Sequence, residues 1–400
     1  MKHICTHCRQ TSADGNLWCQ DIECPAGKLP TLMNYGDFLG NFQIARLLRV
    51  IKTAAIYEVI LDKQTYLLKV ANQGCENYLQ REAYVIQALN VSVPNHPAIP
   101  KLVPHKQANS DDPYGISTFR GETVYFTLLE HVKGEFLSDY LLNNPEPWHQ
   151  YVGWFIKTLS EAVHFLHGLA LQAGEDGYLH LNLNPDNILV TLNKGGVPQP
   201  VLIDMGILQP LAIDKNDPRL KMTSALDLSD VQRFERYSLV AYIPPELSNS
   251  NSTRTVTLTS ATDVYGLGLL LYEMLAGHPA YKYKLKKRDV ILSQVSSVKT
   301  IPPPLTREDL PAIKSKDIQL ALIEVVNRAI LKAPEQRFAT AKELHDQLER
   351  LYGPVRERAA NRFMSNPRTT LLVAVSLILT ALSITVFILL MLILATRFSV

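Results

Sequence analysis

His180-Leu181-Asn182-Leu183-Asn184-Pro185-Asp186-Asn187-Ile188-Leu189 is the stretch on which the reading of this 400-residue chain turns. A carboxylate at its third position could accept the proton of an attacking hydroxyl, whereas the carboxamide of Asn182 is not basic at any physiological pH. Short motifs surround the stretch in order. Tyr66-Leu67-Leu68-Lys69 reads as a strand, and Arg81-Glu82-Ala83 opens an apolar helical pattern (Ile86, Leu89) that ends before His96-Pro97-Ala98-Ile99. Downstream come Leu202-Ile203-Asp204-Met205-Gly206, then Ile243-Pro244-Pro245-Glu246. Asp263-Val264-Tyr265-Gly266-Leu267-Gly268 opens a long apolar helix, and Pro334-Glu335-Gln336-Arg337-Phe338 follows near the end.

These stretches resemble, in order and spacing, the motifs of the serine/threonine-protein-kinase-like family of bacterial type. The first has the frame of the catalytic loop H-R-D-L-K-P-E-N-I-L, and the others resemble V-A-I-K, the helical glutamate, D-F-G, A-P-E and the late arginine motif. The resemblance implies an α+β, two-lobed protein-kinase-like fold over about residues 41–352, with an N-lobe over about 41–132 and a C-lobe over about 133–352. It implies that Glu246 pairs with Arg337 and that Asp263 holds the catalytic-loop backbone. It also implies nucleotide and metal positions, with Lys69 on phosphates, paired with Glu82, and Asp204 and Asn187 on magnesium. The same residues read equally as a structural ion pair and a turn residue, so ATP/Mg2+ binding stays open.

The departures fall together at the transferring phosphate. Asn182 replaces the catalytic aspartate, Asn184 the lysine two residues later and Leu239 the threonine near A-P-E. Arg49, Ile51 and Ala54 stand where the family has the three glycines of its phosphate loop. Glycine lets backbone close over phosphates without a Cβ in the way, and β-branched Ile51 lacks that freedom. Leu67 stands where an alanine usually faces the adenine, which makes the pocket shallower. A general base is worth roughly 10² to 10⁴ in rate. Phosphoryl transfer leans on positioning and charge, so losing the lysine and glycines as well removes what could compensate. Leu181 replaces the arginine that pairs with a phosphorylated activation loop, so a phosphate on Thr223 or Ser229 would lack that partner. The segment from Asp204 to Glu246 is long and polar and reads as a mobile surface loop.

Cys5-Thr6-His7-Cys8 and Cys19-Gln20-Asp21-Ile22-Glu23-Cys24 form a C-x₂-C and a C-x₄-C pair around a turn at Asp14-Gly15-Asn16. Residues 1–27 look like a zinc ribbon in which Cys5, Cys8, Cys19 and Cys24 hold structural Zn2+, followed by a linker over 28–40. Two disulfides or a redox pair are the competing readings, disfavoured in a cytoplasmic segment. Leu371 to Ala395 runs without a charge and is long enough for a transmembrane helix. Arg350, Arg356, Arg358, Arg362 and Arg368 precede it, those of 353–370 forming a basic juxtamembrane linker, while Arg397 in the short tail 396–400 follows. The asymmetry places the kinase-like domain on the cytoplasmic side of a single-pass protein.

A net charge of +2 gives no case for nucleic acid, and 46 % hydrophobic residues suffice for one two-lobed domain plus the terminal devices. Together these features indicate a membrane-anchored pseudokinase that serves as a signalling scaffold or nucleotide-gated binding module for protein partners. An active atypical serine/threonine kinase using ATP and a structural membrane adaptor without nucleotide binding are the alternatives.

Overall fold

The computed structural model describes residues 32–51, 53–104, 111–144, 148–169, 177–205, 207–213, 222–226, 240–247, 256–281 and 304–364. The chain divides into two compact units, Met1–Glu349 and Arg350–Val400, and both lobes lie in the first.

Runs rich in β-branched and aromatic residues build the smaller lobe. Its strands are β1 (Phe38–Leu39), β2 (Phe42–Val50), β3 (Ala54–Leu61), β4 (Gln64–Ala71), β5 (Gly115–Phe119) and β6 (Glu122–Glu130). They pair antiparallel in the order β1-β2-β3-β4-β6-β5. Two-residue hairpins set the register: Asp62 and Lys63 join β3 to β4, and Arg120 and Gly121 join β5 to β6, all four at positive φ. Successive left-handed residues are what such a loop needs, and Gly121 supplies one without a Cβ penalty. Tyr57, Leu68, Val70, Phe126 and Leu128 share a buried cluster with Phe42 and Ile44. Lys69, on the opposite face from Leu68 and Val70, reaches α1 (Glu76–Ser92), whose buried side carries Leu79, Glu82, Ala83, Val85, Ile86 and Leu89.

The larger lobe contains β7 (Gly134–Phe136), α2 (Leu137–Asn143), α3 (Val152–His167), β8 (Gly177–Leu179), β9 (Ile188–Leu192), β10 (Pro198–Leu202), β11 (Gln209–Ile213), β12 (Met222–Leu226), β13 (Val256–Thr259), α4 (Ser260–Ala276), α5 (Lys316–Ala329) and the residues up to Glu349 of α6 (Ala341–Met364). α4 is apolar all round and buried along nearly its whole length, as expected of a helix at the centre of a domain. A Thr259/Thr262 capping box starts it and Gly277, at φ 73°, ends it. It packs against α3 and α5. The strands of this lobe form two small sheets, β10-β9-β7 and β13-β12-β11-β8.

Two sequence expectations change. The segment from Asp204 to Glu246 is not a plain surface loop: it contributes β11 and β12 to the four-stranded sheet, and Leu211 is buried with Leu179, Ile207, Ile243 and Leu258. Burial of those apolar side chains outweighs the polar composition around them. The helix expected from about Arg81 starts at Glu76. The cysteines Cys5, Cys8, Cys19 and Cys24, Leu239 and the apolar run 371–395 lie outside the described residues. Among the described residues no helix is long and apolar enough to cross a membrane, and no group of three or more His, Cys, Asp or Glu could hold a metal.

Candidate functional site: the interlobe cleft

The floor of the cleft is pinned by Asp263 in the first turn of α4. Its Oδ2 accepts the His180 N–H and its Oδ1 the Leu181 N–H, each at 2.8 Å, and His167 Nε2 lies 2.8 Å from Oδ2. Leu181 stands at φ 58°. Left-handed backbone costs a residue with a Cβ about 1–2 kcal/mol, and the two bonds to Asp263 hold it there. Burial opposes the Asp263 charge, yet His167 and the His180 N–H keep the carboxyl below its ordinary range. Burial pushes the His180 imidazole below its usual value, so it is neutral at pH 7.

From this anchor the loop runs through three asparagines, all buried. Asn184 caps the 3₁₀ turn Pro185–Asn187 by accepting the Asp186 N–H at 2.9 Å. Its Nδ2 donates to Asn182 Oδ1 at 2.9 Å and to the Asn182 carbonyl at 3.0 Å. Asn187 Nδ2 donates to the same carbonyl at 2.7 Å. Asn182 and Asn184, expected from the sequence at the positions of base and lysine, are therefore bonded to each other by neutral amides. The pair can order a loop but cannot take up a proton or neutralise a phosphate.

Lys69 arrives from β4 and Glu82 from α1, each buried and oriented by the periodicity of its element. Lys69 Nζ donates to Glu82 Oε2 at 2.5 Å and also to Asp204 Oδ1. Glu82 Oε1 accepts the Met205 N–H at 2.9 Å, which ties α1 to the strand-end carrying Asp204. Burial works against the Lys69 ammonium, but Asp204 and Glu82 outweigh it and raise its pKa. Three of the four residues expected to meet nucleotide and metal thus form an ion triad, and the fourth, Asn187, accepts the Ile203 N–H on its carbonyl at 2.9 Å, one residue before Asp204.

One residue expected to matter only as a lost glycine makes a buried interlobe contact. Arg49, at the end of β2, is 4 % exposed. Its Nη1 donates to Asp139 Oδ2 at 2.6 Å, and its Nη2 to Asp186 Oδ1 at 2.7 Å and to Ser138 Oγ at 2.8 Å. The guanidinium carbon lies 4.8 Å from the centre of the Phe136 ring, within cation–π range. β2, the start of α2 and the asparagine loop are thereby joined. Phe136, Ser138, Asp139 and Asp186 were not expected from the sequence; the available signal was an arginine in a glycine position, since a buried arginine must find acids.

The segment after Arg49 closes inward. Ile51, Thr53 and Ala54 are buried, the Ile51 N–H donates to the Ala54 carbonyl at 2.8 Å, and Asn72 Nδ2 donates to the Ile51 carbonyl at 3.0 Å. Thr53 Oγ1 comes to 3.5 Å from Asp204 Oδ1. Asp204 and Asn187 carry the oxygens that magnesium takes beside nucleotide phosphates, so the donor pair fits the metal. The loop does not fit the phosphates, because its side chains fill space that a glycine loop leaves open.

The profile of the protein kinase domain family matches residues 53–348. The serine/threonine-protein kinase PknB of Mycolicibacterium smegmatis is 25 % identical over 288 residues, covering 72 % of this chain and 39 % of that protein. PknB of Mycobacterium tuberculosis is 23 % identical over 286 residues, covering 72 % of this chain and 38 % of its own length. This chain therefore spans about two fifths of the length of these relatives. Among solved structures, a double mutant of the Mycobacterium tuberculosis PknI kinase domain superposes with a TM-score of 0.51 at 20 % identity, covering 80 % of this chain and 99 % of that one. That likeness speaks to the two-lobed fold.

Proposed function

The chain belongs to the protein kinase domain family, and from that premise we propose that it is a membrane-anchored pseudokinase, a nucleotide-gated scaffold for protein partners in signalling. One observation carries the reading: at the base position the Asn182 carboxamide is bonded to Asn184, and the described acids of the cleft are held by other groups. Asp186 and Asp139 hold Arg49, Asp204 holds Lys69, and Asp263 holds the loop backbone. The ties that keep a kinase C-lobe folded are retained, among them the bidentate Glu246–Arg337 pair at 2.9 and 2.8 Å. Architecture without a base suits recognition better than turnover.

In this proposal the four N-terminal cysteines bind structural zinc, residues 371–395 cross the membrane, and the arginine-rich stretch before them keeps the kinase-like domain on the cytoplasmic face. The test is phosphate transfer from γ-labelled ATP by the purified full-length protein, beside Asn182→Ala. No transfer above background in either is expected. Transfer that disappears with the substitution would instead support an active atypical kinase, the reading favoured by the retained Lys69–Glu82 pair.

A further inference from the structure

Of the residues that stand in the glycine positions, Arg49 does not merely obstruct the cleft. Its side chain is bonded inside it. The Arg49 guanidinium fills the space between β2, the start of α2 and the asparagine loop, against Ser138, Asp139 and Asp186 and over Phe136. Farther in, Thr53 meets the acid that would hold magnesium.

We infer that Arg49, together with the buried Ile51 and Thr53, plugs the nucleotide cleft of this chain, so that the resting protein excludes ATP and the gate in the proposed function is this Arg49 latch. Three physical points support it. The latch is anchored on both lobes, by one residue of β2 and by acids 90 and 137 positions away in the chain. Its guanidinium offsets two carboxylates that are nearly as buried as itself, so withdrawing it without a replacement cation is unfavourable. Finally, Ile51 and Thr53 are each tied to Asn72, whose Nδ2 bonds the Ile51 carbonyl and whose N–H bonds the Thr53 carbonyl at 2.9 Å.

If the latched form makes up about 99 % of the population, apparent nucleotide affinity falls about a hundredfold relative to the open form. The inference rests on the pseudokinase reading for the identity of the cleft, and the two fail in different assays. The binding experiment uses the full-length protein in detergent and a fluorescent ATP derivative with magnesium. The unmodified protein is compared with Arg49→Gly and with a triple variant, Arg49→Gly, Asp139→Asn and Asp186→Asn, which leaves no orphaned carboxylate and so guards against simple unfolding. The latch predicts no saturable binding by the unmodified protein at millimolar nucleotide, binding at least about tenfold tighter in the triple variant, and loss of that binding when Lys69→Ala is added. Equal affinity in the unmodified protein and the triple variant overturns it. So does a triple variant that keeps a cooperative unfolding transition yet binds nothing. Phosphate transfer by the released protein would leave the latch standing and remove the pseudokinase reading.

Discussion

Replacing Arg337 by alanine tests whether the larger lobe is held by the residues that tie a kinase lobe together. Its side chain is fully buried, and its guanidinium makes five hydrogen bonds: two to the Glu246 carboxylate, and one each to the carbonyls of Ala261, Leu331 and Lys332. It also lies 4.9 Å from the centre of the Tyr265 ring. Truncation leaves a largely buried carboxylate without its cation and three carbonyls without their donor. Removing one partner of a buried pair costs about 3–5 kcal/mol, well beyond the roughly 0–1 kcal/mol of an exposed pair. With a urea slope of about 3 kcal/mol/M, the midpoint should fall by about 1 to 1.7 M. Tryptophan fluorescence of the detergent-solubilised protein follows the transition. Glu246→Gln keeps the shape and loses the charge, so it should fall less, and the double variant Glu246→Ala with Arg337→Ala should fall by less than the sum of its parts. A midpoint shift below about 0.3 M for Arg337→Ala would refute the reasoning, since the guanidinium would then be replaceable by water.

Gly266 and Gly268 let α4 approach its neighbours: a Cβ on Gly266 would stand 2.9 Å from Leu183 Cβ, and one on Gly268 would stand 2.7 Å from Ala329 Cβ. Alanine at either site should destabilise by about 1–3 kcal/mol despite its better helix propensity, lowering the melting temperature, and an unchanged or higher value would contradict the packing. Burial lowers the pKa of His96, His164 and His180 below the ordinary value of about 6.5, so the unfolded chain takes up those protons first on acidification. That stability is complete above about pH 6.5 and is lost as pH falls below it, so the urea midpoint at pH 5.5 should lie under that at pH 7.5, with a smaller gap in His164→Gln. Elemental analysis of the full-length protein should find about one zinc per chain, absent in Cys19→Ser; zinc-free native protein would remove the ribbon.

Much of the fold was legible because certain positions permit few residue types. Lys69 with Glu82, and Asp263, were readable through the resemblance to the kinase motifs. The structure shows the physical reason those types stand there: a buried lysine needs acids, and a carboxylate in the first turn of α4 holds the loop backbone. The replacements at Asn182 and Asn184 were equally plain, since an amide matches an aspartate in shape but not in charge and is both shorter than a lysine and uncharged. What the sequence hid depends on distant partners. β11 contains Pro210, which argues against a strand, and its partner β8 lies upstream across the whole asparagine loop. The start of α1 gave no signal because its cap residue, Cys75, makes no side-chain cap bond. Arg49 was visible as a missing glycine, but only the folded chain brings Ser138, Asp139 and Asp186 to it.

The most direct measurement of the central claim is an experimental structure of the protein crystallised with excess magnesium and a non-hydrolysable ATP analogue. The account predicts Asn182 Oδ1 still bonded to Asn184 Nδ2, Arg49 still bridging Asp139 and Asp186, and no nucleotide in the cleft. A bound analogue with a carboxylate standing at the Asn182 side chain, within hydrogen-bonding reach of an incoming hydroxyl, would contradict it.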